Sequence, residues 1–438
     1  MCVRRYDHGH FYVRGQLITE TRCSWLQVLI DDRRRGEDSS FHRYIEKSSP
    51  LLSRLICALF HKLRLNVLSG IKCSVTEERC PHSVTSFCIL IVIPCSRKKF
   101  KMWTYNRPCT SDARLDNKIA VITGANSGIG KETARDFYRR GARVILACRN
   151  MEKARLAVED IKDNPFPRGY DCTGKLGELA LCHLDLCNLK SVRECAMHLL
   201  TTESAIHLLI NNAGVMMSPY EKTVDGFELQ LQSNYLGHFL LTLLLLPRMQ
   251  SSAPGCRIVN VSSLSYIFGN IHFADMNLER SWKMITPFKA YTQSKLANIL
   301  FTKELARRLK LAGISGINVY SLHPGVISSE LGRHFSRTII PGASFIFQHV
   351  MRPFIKNVRQ GAQTTIHCAV DKKTANETGL YYMECRVSNP LSKAKDDQAA
   401  ENLWDHTCRL LSLKHDENFV AFLENVSRQL STPNSTLL

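Results

Sequence analysis

The sequence predicts an α/β protein built on a doubly wound parallel sheet of seven strands with helices on both faces. From residue 118 onward, short β-rich runs alternate with helical patterns of ordinary length, which is typical of a parallel sheet covered on both sides. A glycine-rich turn joins the first of these runs to the first helical pattern. Crossovers between parallel strands are almost always right-handed, so the alternation defines one architecture.

The predicted strands are separated by segments long enough for crossover helices. They cover residues 119–123, 143–147, 179–185, 207–211, 257–262, 317–322 and 380–383. Between the first three strands we predict helices over residues 131–140 and 151–162. Gly141 ends the first helix, since glycine readily takes the left-handed conformation that turns a chain back into the next strand.

The chain divides near residue 115. Residues 1–115 carry 20 Lys/Arg and 10 Asp/Glu, so they hold +10 of the net charge of +19. Residues 1–82 are a basic leader of unassigned fold in which 51–68 could form an amphipathic helix. Because Met102 offers a later start, a working protein without this leader is an open alternative. The α/β domain is expected over residues 115–412, followed by a C-terminal tail over 413–438.

The basic segment is expected to meet a membrane surface rather than nucleic acid, because no zinc-finger spacing or basic heptad region accompanies it. Within residues 83–114, positions 84–95 are apolar and uncharged, and basic residues follow at once. Twelve helical residues reach roughly 18 Å, whereas a bilayer core is about 30 Å thick. We therefore expect a short or re-entrant anchor, with the following domain on the cytosolic side. A buried strand is the alternative.

The 17 cysteines are odd in number and show no CxxC spacing, and eight precede residue 110. This distribution predicts neither a disulfide framework nor a metal site. Reduced thiols in a cytosol-facing protein are the simpler interpretation.

The glycine-rich turn follows the first predicted strand, where such sheets bind dinucleotides. Gly124 permits the sharp exit from the strand, Gly128 allows the backbone to approach a pyrophosphate, and Gly130 allows the helix to pack on the strand. The phosphates would meet free amides at the helix N-terminus. The same turn contains Asn126, Ser127 and Ile129.

The residue that determines the choice between NAD(H) and NADP(H) is expected about 18 to 20 residues after the last glycine of the turn. The stretch 147–150 contains no carboxylate to hold a ribose 2′-hydroxyl, and its Arg149 could pair with a 2′-phosphate. The sequence therefore favours NADP(H) over NAD(H). A solvated surface arginine is the alternative.

Tyr291 and Lys295 stand one helical turn apart and form a candidate acid/base pair. Hydride transfer between an alcohol carbon and a nicotinamide ring moves one proton to or from the alcohol oxygen. A free phenol has a pKa of about 10, so we expect the Lys295 charge to lower that of Tyr291. Ser263, after the fifth strand, could hydrogen-bond the substrate oxygen, and Ser262 competes for this role.

The ordered motifs resemble the short-chain dehydrogenase/reductase superfamily of Rossmann-type folds. The runs NNAGVMMSP (211–219), NYLGHFLL (234–241), RIVNVSSL (257–264) and SKLANILFTKELARRL (294–309) are similar to its microsomal retinol dehydrogenase branch. The resemblance covers about residues 115–412, which makes this the expected catalytic domain.

The resemblance also implies a role for each matching residue. It implies that Ser263, rather than Ser262, hydrogen-bonds the substrate oxygen. Lys295 would hold the nicotinamide ribose, and Asn234 would organise a water that connects Lys295 to solvent. Asp185 would contact the adenine ring, with a helix N-terminal cap as the alternative. The remaining cofactor contacts would come from Asn212, Ala213 and Gly214 beside the adenosine and ribose, and from Pro324 and Gly325 at the nicotinamide amide.

The function implied is NADP(H)-dependent interconversion of retinol-like alcohols and aldehydes at the endoplasmic reticulum membrane. The apolar residues 339–355 would wall a hydrophobic substrate, a retinoid or lipid aldehyde, although plain core packing is nearly as good an interpretation. A homodimer through the helices of residues 239–246 and Tyr291 is an expectation from the family. A broad carbonyl reductase and an inactive dinucleotide-binding interaction protein are the alternatives.

Overall fold

The computed structural model describes residues 107–166, 174–281, 285–327, 356–414 and 418–428, together with three short strands near the N-terminus. The apolar segments 51–68, 84–95 and 339–355 lie outside these described residues. By its internal contacts the chain divides into two units, residues 1–92 and 93–438. In the first, the strands Arg4–Tyr6, His10–Val13 and Gln16–Thr19 form an antiparallel sheet.

The second unit contains a sheet of eight strands. The strands are β1 Ile119–Thr123, β2 Arg143–Cys148, β3 Glu178–His183, β4 Leu208–Asn211, β5 Cys256–Val261, β6 Ile317–His323, β7 Leu380–Met383 and β8 Arg386–Val387. Their order is β8-β7-β6-β5-β4-β1-β2-β3. Strands β1 to β7 run parallel, and β8 pairs antiparallel with β7. The doubly wound architecture is confirmed, with one more strand than predicted.

Strand β3 ends earlier than the predicted residue 185. Its neighbour β2 ends at Cys148, whose carbonyl accepts the last sheet-like bond from the Leu184 amide at 3.0 Å. The Asp185 amide then donates to the Ser191 hydroxyl at 3.0 Å. Asp185 therefore lies in a turn beyond the sheet edge.

Helices cover both faces of the sheet. They are α1 Gly128–Arg139, α2 Met151–Asp163, α3 Leu189–Thr202, α4 Gly237–Ser252, α5 Thr286–Leu311, α6 Val358–Val370, α7 Asp397–Leu410 and α8 Phe419–Arg428. The predicted first helix begins three residues earlier than expected. Gly141 has φ +94°, and its amide donates to the Tyr138 carbonyl at 3.1 Å, so it caps α1 as predicted.

Two apolar cores lie on opposite faces of the sheet. One packs α1, α2 and α6 against it, and the other packs α3, α4, α5, α7 and α8. Trp404 of α7 joins the second core, with ring centroids 4.9 Å from Phe239 and 6.2 Å from Phe422. Residues 239–246 are completely buried, so this leucine-rich stretch belongs to the core of the chain itself.

Among the described residues, no helix combines the length and the apolar character needed to cross a bilayer.

Candidate active site

The carboxyl end of β1 is tied to the loop that follows β4. The Thr123 hydroxyl accepts from the amides of Asn212 and Ala213, each at 2.9 Å. The Asn212 side chain donates to the Thr123 carbonyl at 2.8 Å. These bonds fix the predicted Asn212-Ala213-Gly214 loop beside the glycine-rich turn.

The glycine-rich turn has the conformation and the close packing that glycine alone tolerates. Gly124 and Gly128 have φ of +65° and +57°, in the left-handed region that favours glycine. A Cβ on Gly130 would lie 2.5 Å from Asn212 Nδ2 and 2.6 Å from the Gly124 carbonyl oxygen. Helix α1 begins directly at Gly128, after the N-cap Ser127, whose side chain makes no capping bond within the described part of the chain.

These features fit a dinucleotide. The first amides of a helix have no partner within the helix, and here they begin at Gly128 and Ile129, directly after Asn126 and Ser127. An anion placed there would meet both the amides and the positive end of the helix dipole. The residues that would hold a pyrophosphate are therefore those of the predicted turn.

The two residues expected at the adenosine end are neighbours. Arg149 Nη1 lies 3.8 Å from Asp185 Oδ1, and 60% of the Arg149 side chain is exposed. Asp185 Oδ1 also accepts from the Cys187 amide at 2.9 Å. The N-cap of α3 is Asn188, whose side chain accepts from two helix amides, so the capping alternative for Asp185 is wrong.

Tyr291 and Ser263 meet at the carboxyl end of β5. Tyr291, on α5, is 5% exposed, and the nearby Ser263 hydroxyl acts to lower the pKa of its phenol. Ser263 follows β5 and caps a short 3₁₀ turn, Leu264–Phe268. Ser262 points elsewhere, since its hydroxyl donates to the Lys295 carbonyl at 2.6 Å. The geometry therefore selects Ser263 over Ser262 as the hydroxyl beside the phenol.

Lys295 lies under the tyrosine on the same helical face. Its Nζ is 5.7 Å from the centroid of the Tyr291 ring and donates to the Val261 carbonyl at 3.1 Å. A Cβ on Gly214 would lie 3.5 Å from this Nζ, so glycine leaves room for the ammonium. Burial lowers the pKa of Lys295 to about 8, which leaves the side chain mostly charged at neutral pH.

Burial, rather than the expected effect of Lys295, has the largest influence on the pKa of Tyr291. Burial raises the pKa of Tyr291 to about 12, and the nearby hydroxyls of Ser263 and Ser265 act in the opposite direction. Removing a phenol from water penalises its charged form more strongly than these hydroxyls favour it. In this arrangement Tyr291 is a protonated phenol ready to donate.

Asn234 sits in a π-helical turn, Gln232–Leu236, that precedes α4; such turns occur frequently at functional sites. Its side chain accepts from the Val215 amide at 2.8 Å and donates to the Val215 carbonyl at 3.0 Å. It also donates to the Ser294 hydroxyl at 2.9 Å. These bonds join the loop after β4 to the helix that carries Tyr291.

Two polar residues of the site were missed in the sequence. His238 Nδ1 lies 3.1 Å from the Asn234 carbonyl, and its Nε2 lies 2.8 Å from the Thr123 hydroxyl. Burial lowers the pKa of His238 to about 4, so a neutral ring links these groups. The Ser265 hydroxyl is buried with no hydrogen-bond partner among the described residues, and it acts to lower the pKa of Tyr291. The spacing of one helical turn between Asn234 and His238 could have predicted that the histidine lies beside Asn234.

Pro324 and Gly325 follow β6 directly. Gly325 has φ +98°, and a Cβ there would lie 2.7 Å from Lys356 Cδ. Burial, and then the charge of Lys356, lower the pKa of His323 to about 3. The predicted nicotinamide end of the site is therefore lined by the side chain of Lys356, which the sequence did not single out.

Comparisons with known proteins agree with this geometry. A family profile described as short chain dehydrogenase matches residues 118–276. Retinol dehydrogenase 11 of Homo sapiens is 47% identical over 308 residues, which cover 70% of this chain and 90% of the relative. Retinol dehydrogenase 13 of Homo sapiens is 42% identical over 309 residues, covering 70% of this chain and 88% of the relative.

A solved structure agrees as well. The crystal structure of an uncharacterized protein from Mycobacterium paratuberculosis is 34% identical, with a TM-score of 0.53, and the match covers 70% of this chain and 98% of that chain. The fold and the relatives define an oxidoreductase that uses a nicotinamide dinucleotide. The chain belongs to the short-chain dehydrogenase/reductase superfamily, in its microsomal retinol dehydrogenase branch.

Proposed function

We propose that this protein is an NADP(H)-dependent oxidoreductase that interconverts retinol-like alcohols and aldehydes. The observation that carries the proposal is the position of Lys295 Nζ, 5.7 Å from the centroid of the Tyr291 ring, together with the Ser263 hydroxyl that acts to lower the pKa of this phenol. These groups lie at the sheet edge that also carries the glycine-rich turn. The relatives named as retinol dehydrogenases supply the substrate class.

Each group has a distinct chemical task. When bound, the nicotinamide supplies or accepts the hydride. Ser263 orients the substrate oxygen beside Tyr291, which donates its proton during aldehyde reduction and recovers it during alcohol oxidation. The Lys295 charge stabilises the phenolate that develops, and burial strengthens this attraction. Asn234 holds the loop after β4 against α5 and so keeps Lys295 in place.

The central experiment compares Tyr291→Phe with the unchanged chain. The full-length protein, purified in detergent, is incubated with NADPH or NADH and a panel of retinal, aliphatic aldehydes and steroid ketones. We expect retinal reduction by the unchanged chain and turnover reduced by at least about a thousandfold in Tyr291→Phe, with NADPH binding retained. Retained turnover would contradict the assignment of the proton donor.

The same panel separates the alternatives. Broad activity on steroid ketones and aliphatic aldehydes, without preference for retinal, indicates a general carbonyl reductase. NADPH binding without turnover of any substrate indicates an inactive interaction protein.

The preference for NADP(H) is supported by Arg149, because a guanidinium pairs well with a phosphate in two parallel hydrogen bonds. Asp185 competes for the same guanidinium at 3.8 Å. We expect Arg149→Ala to raise the KM for NADPH about tenfold and to leave the KM for NADH nearly unchanged. The matched control is Arg155→Ala, an exposed arginine on α2 that pairs with Glu152. Unchanged NADPH kinetics in Arg149→Ala would refute this role.

We also propose association with the endoplasmic reticulum membrane and a cytosolic catalytic domain, supported by the apolar segment 84–95 and the basic residues after it. Asn376 stands in an Asn-x-Thr acceptor sequence and is exposed, so it reports orientation. A cytosolic domain leaves Asn376 unmodified. If glycosidase treatment shifts the electrophoretic mobility of the protein and Asn376→Gln abolishes that shift, the proposed orientation is wrong. We also propose a homodimer, whose interface would have to use residues other than the buried 239–246, and sedimentation of the purified chain tests it.

A further inference from the structure

A charged pair lies next to the predicted nicotinamide end of the site. Lys356 Nζ hydrogen-bonds Glu384 Oε1, and the two side chains are 10% and 7% exposed. Lys356 precedes α6, and Glu384 lies in the turn between β7 and β8. The pair therefore joins two separate segments beside the end of β6.

The lysine is held against Gly325 by its backbone as well as its side chain. The Lys356 amide donates to the Val326 carbonyl at 2.8 Å. A Cβ on Gly325 would lie 2.7 Å from Lys356 Cδ and 3.4 Å from its Nζ. The ammonium is thus close to the backbone that would contact the nicotinamide amide.

The buried, strained position of Glu384 costs folding free energy. Its second oxygen, Oε2, is buried and has no hydrogen-bond partner among the described residues. Its backbone has φ +55°, a conformation uncommon for residues with side chains. A buried ion pair often adds little net stability compared with apolar residues of similar size. Burial, strain and an unpartnered oxygen together point to a role beyond holding the turn.

We propose that the Lys356–Glu384 pair sets the relative affinity of this protein for the oxidised and reduced forms of its nicotinamide cofactor. The inference depends on the proposed function and on the nicotinamide position beside Gly325 that the family resemblance implies. The oxidised ring carries a positive charge and the reduced ring is neutral. A nearby cation therefore disfavours the oxidised form, a nearby anion favours it, and the balance between Lys356 and Glu384 shifts the preference.

Two substitutions that remove opposite charges test the inference. Glu384→Gln leaves the Lys356 ammonium uncompensated, so the ratio of the Kd for NADP⁺ to the Kd for NADPH should rise about fivefold. Lys356→Met leaves the carboxylate, so the ratio should fall about fivefold. The double variant restores charge balance, and its ratio should return close to that of the unchanged chain. Both constants are measured by NADPH fluorescence and its displacement, with full-length protein at pH 7, where Lys295 is mostly charged.

Charge-conserving and remote variants serve as controls. Lys356→Arg and Glu384→Asp keep the charges, so their ratios should stay near that of the unchanged chain. Glu424→Gln removes an exposed glutamate on α8, paired with Arg428 at 3.7 Å, and should not alter the ratio. Thermal unfolding of every variant checks folding. If one single variant does not fold, the direction of the shift in the other decides.

The outcomes separate this inference from the proposed function. If the unchanged chain binds neither cofactor form, the proposed function fails. If it binds both, and the two single variants leave the ratio unchanged or move it in the same direction, the pair is only structural and this inference alone is overturned.

Discussion

The side-chain amide of Asn234 donates a hydrogen bond to the Ser294 hydroxyl at 2.9 Å. This bond connects the π-helical turn to the helix that bears Tyr291 and Lys295. Ser294 in turn donates to the Tyr291 carbonyl at 2.7 Å. Both residues are completely buried. Ser294 therefore links Asn234 to the helix that carries the proposed catalytic residues.

Ser294→Ala should destabilise the fold and misplace the site. Loss of a buried hydrogen-bonding partner costs about 1–3 kcal/mol in the free energy of unfolding, and we expect kcat to fall more than cofactor affinity. Thr201→Ala is the control, since this exposed hydroxyl on α3 bonds only to the helix carbonyl four residues before it among the described contacts. Urea unfolding and steady-state kinetics check both variants. Equal small effects in the two would argue against a special role for Ser294.

Gly130→Ala should weaken cofactor binding. Its Cβ would lie 2.6 Å from the Gly124 carbonyl oxygen, so the turn must shift, at about 1–3 kcal/mol in folding free energy. Gly255→Ala is a useful comparison because Gly255 has φ +91° but open space around it. That variant should lose stability through backbone strain while NADPH affinity is preserved. Calorimetric binding and thermal unfolding distinguish the two effects.

Aldehyde reduction should be insensitive to pH between 6 and 7 and decline above about 8. Burial raises the pKa of Tyr291 to about 12, so the phenol stays protonated throughout this range. Burial lowers the pKa of Lys295 to about 8, so its charge is lost as the pH rises through that value. Lys295→Met should be slow at every pH and lack this decline. Measurement of kcat/KM against pH checks the prediction, and an unchanged decline in the variant would contradict it.

Glu228 should make folding stability depend on pH. Burial raises its pKa to about 7 from 4.5, because the carboxyl is 1% exposed. The folded state therefore binds the proton more tightly, and the stability gained is fully present below pH 4.5 and lost as the pH rises through 7. The free energy of unfolding, relative to Glu228→Gln, should fall by about 3 kcal/mol across this window. Chemical denaturation of both proteins at a series of pH values tests this prediction. If the free energies of unfolding of the unchanged chain and of Glu228→Gln vary in parallel with pH, the prediction is wrong.

Most of the sheet could be predicted because its strands contain apolar runs, such as residues 119–122 of β1 and 144–148 of β2, that are almost entirely buried. Strand β8 could not be predicted, because it has two residues and both are exposed. The residues near Tyr291 were found because the glycine turn and the Tyr–Lys spacing are local patterns. Lys356 and Glu384 are 28 positions apart and carry no local pattern, so only the fold brings them together. The effect of burial on the Tyr291 pKa likewise depends on tertiary packing.

The bond between the Lys356 amide and the Val326 carbonyl means that the chain leaves the sheet edge and returns to it at nearly the same place. The entropy lost in closing such an excursion grows only slowly with its length. The contact between Val326 and Lys356 therefore holds the segment before α6 beside the end of β6 at a free-energy cost that depends little on the number of residues between them.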